Sequence, residues 1–218
     1  MIDQLKKLLK NREEDNIINL IIEHPEVLDE QDESGSSGIL LLAYNGLATA
    51  FEKAKDLKSK FTFHEAIVCG KMDTVKANIS ADETLVNVYS NDGFTPLSLA
   101  VFFDQTAIAK VLLEQGANPE MQATNPSKVN ALHSAVAKGN YELCELLVAT
   151  GMDLNLGQTQ QVTALHSAAH RGNLKMVQLL VENGADIHTK MENGSTPLDL
   201  AKKDEHQDVV IYLEGLSS

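Results

Sequence analysis

Apolar residues in this chain come in short runs at helical spacing, and the runs recur. Val111-Leu112-Leu113, Leu146-Leu147-Val148 and Leu179-Leu180-Val181 each lead to a glycine, at Gly116, Gly151 and Gly184. A second pattern alternates with the first. Phe94-Thr95-Pro96-Leu97-Ser98-Leu99-Ala100, Val129-Asn130-Ala131-Leu132-His133-Ser134-Ala135, Val162-Thr163-Ala164-Leu165-His166-Ser167-Ala168 and Ser195-Thr196-Pro197-Leu198-Asp199-Leu200-Ala201 align without gaps. Their leucines at 97, 132, 165 and 198 are spaced by 35, 33 and 33 residues. An earlier copy, Phe61-Thr62-Phe63-His64-Glu65-Ala66, places Phe63 34 residues before Leu97. Self-similarity at a fixed period predicts a stacked array, not a single globular core.

Each repeated position has a physical task. Thr95, Thr163 and Thr196 are candidate helix caps, whose hydroxyl accepts one of the orphan amides of the first turn. Pro96 and Pro197 follow them at the first helical position, where a missing N–H removes no bond. Leu97 and its equivalents point inward, and Ala66, Ala100, Ala135, Ala168 and Ala201 let a neighbouring helix approach. Gly139 and Gly172 allow a tight turn into a second helix, and Gly116, Gly151 and Gly184 allow the chain to leave it with positive φ. One helix pair cannot bury its own apolar stripe, so the pairs must stack.

Toward the N-terminus the register weakens. Ser37 falls at the Thr95 position and Ile39 at the Leu97 position, and the next copy arrives 24 residues later, so this unit is expected to lack its closing hairpin. Leu5, Leu8 and Leu9, then Ile17, Leu20 and Ile21, mark a degenerate first pair. The last helix joins Val209, Val210 and Leu213 to a polar face, as an end repeat requires for solubility.

The T-P-L-H-x-A and L-L-x-x-G-A-D patterns resemble those of ankyrin repeats, strongly over 60–218 and weakly before. The resemblance implies an all-α solenoid of antiparallel helix pairs joined by short β-hairpin loops. Seven units are expected: a capping repeat at 1–30, a shortened repeat at 31–59, repeats at 60–88, 89–123, 124–156 and 157–189, and a C-terminal cap at 190–218. The pattern also looks like that of compact stand-alone bacterial ankyrin proteins. By resemblance, the function is non-catalytic binding of a partner protein on the concave face and hairpin tips. The alternative is a structural or regulatory protein that acts by self-association.

Charge and composition narrow the partners. The net charge of -13 opposes binding to a phosphate backbone, which needs clustered cations, so no nucleic acid is expected. No stretch is long and apolar enough to enter a membrane, and the Leu-Lys alternation of the first ten residues is unlike a signal peptide. Two cysteines, Cys69 and Cys144, are too few for a disulfide framework and point to a reducing, cytoplasmic setting. Cys144 reads as core and Cys69 as partly exposed.

Seven histidines invite a search for metal. His64, His133 and His166 read as the same slot of successive repeats, which the period explains, and none of the others has ligand spacing. Ser134 and Ser167 adjoin His133 and His166 in sequence, but consecutive helical residues do not face each other. No phosphate loop or nucleophile elbow occurs. No cofactor, metal or enzymatic activity is expected.

The positions that the repeat leaves free form the candidate partner-binding set. At the first-helix ends they are Val68 and Cys69, then Phe102 and Phe103, then Ala137 and Lys138, then His170 and Arg171. At the tips they include Tyr89, Asn91, Asp92, Phe94, Gln160 and Glu192, with a two-residue insertion near Asn125-Pro126. Phe102 and Phe103 stand where polar residues are usual, and either contact a partner or fill the gap where Asp104 replaces the turn glycine. A monomer with an unidentified protein partner is expected.

Overall fold

The structure is a computed structural model that describes residues 1–216 and divides into two compact units. The first comprises Met1–Leu85 with Ser90–Asp92, and the second Val86–Tyr89 with the chain from Gly93 onward.

The first unit holds α1 (Ile2–Asn11), α2 (Glu14–Glu23), α3 (Gly38–Asn45), α4 (Ala48–Leu57), α5 (Phe63–Val68) and α6 (Met72–Ala81). Each odd-numbered helix turns back into the next, and α2 packs on α4 as α1 packs on α3. Leu5, Leu9, Ile17, Ile21, Ile39, Leu42 and Ala50 meet in one buried cluster. Full burial of each large side chain contributes roughly 1.5–3 kcal/mol, which no single pair could collect alone.

The second unit holds α7 (Pro96–Phe102), α8 (Thr106–Glu114), α9 (Ala131–Lys138), α10 (Tyr141–Val148), α11 (Ala164–His170), α12 (Leu174–Glu182), α13 (Pro197–Lys203) and α14 (Gln207–Leu216). The first helices stack in the order α7, α9, α11, α13, and α10, α12 and α14 stack behind them. Leu97, Leu132 and Leu165 are at most 2% exposed, and Ala100, Ala135, Ala168 and Ala201 are sealed completely. The alanines let the helices approach and the leucines fill the space between.

The caps form as the residue pattern predicts. Thr95, Thr163 and Thr196 accept from the amides of Ser98, His166 and Asp199, and Asn130 does the same for His133. Ser37 is the exception: it sits at the cap of α3 but makes no cap bond, and its hydroxyl donates instead to Glu65 Oε1 at 2.5 Å. Gly116, Gly151 and Gly184 have φ of 86°, 75° and 99°, as the exits from α8, α10 and α12 require.

The helix pairs are linked by hydrogen-bonded loops and not by strands; among the described residues the one bridge is Gln31 to Ser37. Backbone bonds close three loops, from Ala123 N to Val129 O, Gln158 N to Val162 O and Met191 N to Ser195 O. The first of these spans two residues more than the others (129 − 123 = 6 against 162 − 158 = 4), so the insertion implied by the spacing of 35 is the turn at Asn125-Pro126-Ser127-Lys128.

One register needs correction. Thr62 caps α5 through the Glu65 amide, so Glu65, and not His64, occupies the slot of His133 and His166. The cap spacing is therefore 95 − 62 = 33, while the left-handed turn residues Gly70 and Asp104 are 34 apart. Helix α5 is one residue shorter than α7, six against seven, and absorbs the difference.

Candidate partner-binding face

In the second unit the loop tips are joined by a ladder of hydrogen bonds. Thr124 N donates to Gly93 O at 2.9 Å, Thr159 N to Ser127 O at 3.2 Å and Glu192 N to Gln160 O at 3.0 Å. Tyr89 Oη donates to Gln122 O at 3.0 Å, and Gln122 Nε2 donates to Gly157 O at 2.9 Å. Thr159 Oγ1 adds bonds to the carbonyls of Pro126 and Ser127. The tips are thus fixed relative to one another, which lowers the ordering cost of binding anything across them. Gln160 and Gln161 hold φ of 64° and 58°, a left-handed pair at a tip without glycine.

Below the tips, two histidines close the N-terminal caps of their own helices, α9 and α11. His133 Nδ1 accepts from Asn130 N at 3.2 Å, and His166 Nδ1 accepts from Thr163 N at 3.2 Å. With Nδ1 as acceptor the proton sits on Nε2, which in His166 donates to Ser195 O of the following loop at 3.1 Å. His133 Nε2 makes no such bond, and the backbone of Leu156 and Val162 only partly offsets the effect of burial on the ring. Burial pushes the His133 pKa down to about 4 and lowers that of His166. Both rings are neutral structural groups at pH 7. Among the described residues no cluster of His, Cys, Asp and Glu could hold a metal.

In the first unit the corresponding slot carries a charge. Glu65 Oε2 accepts from Thr62 N at 2.9 Å, and Lys58 Nζ lies 3.4 Å from Glu65 Oε1 while also bonding Asp29. The Lys58 and Glu65 side chains are 2% and 4% exposed, so the ion pair is buried. Nothing in the periodic pattern flags Lys58, because it lies in the connection between α4 and α5, outside the repeated positions.

At the ends of the first helices of the second unit, Phe102 is 43% exposed and Phe103 half-buried. The rings meet edge to face, with centroids 5.1 Å apart at 78°. Lys138 Nζ sits 5.3 Å from the Phe102 centroid and 3.4 Å from Asp104 Oδ2. Asp104 takes the turn-glycine slot with φ of 55° and also accepts from Asn140 Nδ2 at 3.1 Å. One turn position thus steers both Lys138 and Asn140, a role that spacing alone did not reveal. Farther along, His170 Nδ1 lies 2.5 Å from Asp204 Oδ2, and Arg171 is exposed with no ion pair among the described residues.

The other candidates divide. Gln160 and Glu192 are exposed at neighbouring tips and Phe94 is half-buried. Asn91 and Asp92 belong to the first unit, where Asn91 Nδ2 donates to Gly35 O at 3.0 Å and Asp92 accepts from Ser90. Burial, then Asp92, raises the Tyr44 pKa. Val68 and Cys69 are 1% and 5% exposed, which corrects the expectation that they line an open helix end. The α1–α4 core covers Cys69, and burial pushes the pKa of both Cys69 and Cys144 to about 12.

The model of the family described as ankyrin repeats (3 copies) matches residues 63–158 and 132–215. An ankyrin repeat protein of fowlpox virus (strain NVSL) is 39% identical over 72 residues, which is 32% of this chain and 12% of that protein. Inversin of Gallus gallus is 35% identical over 86 residues, 39% of this chain and 8% of its own length. The ankyrin repeat and SAM domain-containing protein 6 of Rattus norvegicus is 30% identical over 110 residues, 50% of this chain and 12% of its own. The chain therefore spans about a tenth of the length of these relatives, and what it shares with them is the repeat itself. With helix pairs, caps, loop exits and the family match all in agreement over most of its length, the chain belongs to the ankyrin-repeat family.

Proposed function

We propose that the second unit is a non-catalytic binding module whose protein partner lies across the loop tips and the C-terminal ends of α7, α9 and α11. Repeats of this family are protein-interaction modules in general. The observation that carries the specific reading is Phe102, a large apolar ring 43% exposed at a helix end and held by both Phe103 and Lys138. A preordered aromatic loses little freedom on binding, and aromatic and arginine side chains dominate interface energies. Arg171 supplies the cation, and the bonded tips supply a rigid rim. An interface of ordinary size would cover about 800 Å² on each side.

Immobilised wild-type protein, a Phe102→Ala/Arg171→Ala variant and an Asp56→Asn control are compared in capture from native lysate, beside thermal melts of each. A protein retained by the wild type and the control but lost by the double variant, with melting preserved, supports the face. Equal capture by all three removes it.

A further inference from the structure

Charge divides the two central repeats of the second unit along their length. Residues 124–140 and 157–173, the tip and first helix of each, hold Lys128, Lys138 and Arg171 and no Asp or Glu. At the chain's own frequency of 31 carboxylates in 218 residues, those 34 positions would hold about five. Residues 141–156 and 174–189, the second helices and their exits, hold Glu142, Glu145, Asp153, Glu182 and Asp186 against Lys175 alone. On a chain of net charge -13, the side of these repeats proposed for the partner is thus the cationic one.

Helix electrostatics explains only part of this. Lys138 ends α9 and Arg171 caps α11, where a cation offsets the partial negative charge of the C-terminus. Lys128, however, precedes α9, beside an N-terminus that disfavours a cation, and the first turns of α9 and α11 lack the acidic residues that such ends favour. The cations are also available. Lys128 and Arg171 are exposed and make no ion pair among the described residues. Lys138 meets Asp104 at 3.4 Å in an exposed pair, which contributes little, and Asp104 keeps its bond from Asn140 Nδ2 if Lys138 turns to another carboxylate. Lys138 and Arg171 both stand eight residues past their caps, Asn130 and Thr163. Their helices pack side by side, and packed helices lie roughly 8–10 Å apart. An extended chain advances about 3.3 Å per residue, so carboxylates two or three residues apart span that gap. Phe102 ends α7, the neighbour of α9 on its other side, with Lys138 Nζ 5.3 Å from its ring.

We propose that the partner offers this face an extended acidic segment, with an apolar side chain against Phe102 and then two carboxylates, two or three residues apart, on Lys138 and Arg171. This rests on the partner face proposed above and names what that face selects. Lys128 adds a third cation at the rim. Charge complementarity of this kind discriminates between partners and speeds their encounter. A nucleic acid does not fit, because its backbone needs a run of phosphate contacts and the carboxylates of the adjoining second helices repel it.

Random dodecapeptides displayed on phage are selected on the immobilised wild-type chain and counter-selected on Phe102→Ala/Arg171→Ala. The expected survivors carry an apolar residue and at least two Asp or Glu at that spacing. Survivors that are neutral or basic overturn the acidic segment and leave the face standing. A selection with no survivors removes the face, and the segment with it. A surviving acidic peptide, labelled with fluorescein, is then titrated by anisotropy against Lys138→Gln/Arg171→Gln and against Lys110→Gln, which alters a cation of α8 outside the face. Each variant is first checked for the wild-type melting temperature. The affinity should fall about tenfold for the double variant and stay unchanged for Lys110→Gln. Equal affinity for the two, or tighter binding of a labelled oligonucleotide than of the peptide, overturns the proposal.

Discussion

Acidification should loosen the second unit well before its carboxylates protonate, because of His133. The ring is neutral and buried, with its pKa at about 4 against an ordinary value of 6.5. The native state therefore resists a proton that the unfolded chain accepts. Stability from this group is complete above pH 6.5, falls as the pH drops, and is gone near pH 4. A separation of 2.5 units corresponds to about 3.4 kcal/mol at full titration and to about 2 kcal/mol by pH 5. His166, also depressed by burial, adds in the same direction. Carboxylates held low begin to lose their contribution only near their ordinary values, 3.8 for Asp199 and Asp32 and 4.5 for Glu13, Glu30 and Glu33, so the step from pH 7 to pH 5 reports chiefly the histidines. Urea unfolding followed by circular dichroism at pH 7.0 and 5.0 measures the loss, in the wild type and in His133→Gln. The glutamine variant should be weaker at pH 7 and less sensitive to pH. An undiminished pH dependence in His133→Gln would refute the reasoning.

Other substitutions probe the stack. Leu132→Ala empties a site that is 2% exposed and should cost roughly 2–5 kcal/mol in urea unfolding. Thr163→Ala removes the cap of α11 and should cost about 1 kcal/mol in the same assay. Gly172→Ala and Gly184→Ala both place a Cβ on a left-handed residue, but only the first meets an obstacle, the His206 ring, so it should lower the melting temperature more. Both cysteines are buried with raised pKa values, so a thiol reagent at pH 7.5 should label neither in the native protein and both after denaturation.

The parts of the fold legible in the sequence are those that repeat. Thr95, Thr163 and Thr196 announce their helices because each hydroxyl performs one local task, and the glycine exits are legible because positive φ excludes most other residues. The misread register at α5 has an equally local cause. His64 resembles the repeated histidine by residue type, while the slot is defined by the bond to the cap, which Glu65 makes. Cys69 is less exposed than its position in the repeat implies because its cover comes from the core of α1–α4, a contact distant in sequence. The candidate face was legible in part. Phe102 stood out as a departure from pattern, but Asp104 as the residue that orients Lys138 and Asn140 requires knowing which side chains converge.

The Glu65 slot has a consequence for how such a chain can be rebuilt by duplication. The Ala-Leu-His-Ser-Ala segment is identical in α9 and α11; its histidine bonds the backbone of its own cap, and in α11 it also bonds a backbone carbonyl of the following module. Copying one of these modules into the array carries its fastening with it. Glu65 instead depends on Ser37 and Lys58, side chains outside its own helix, so a module cut out at Thr62 would arrive without its counterparts. Gain and loss of modules by recombination is thus easy in the histidine-bearing segment and obstructed near α5, where three residues would have to travel together.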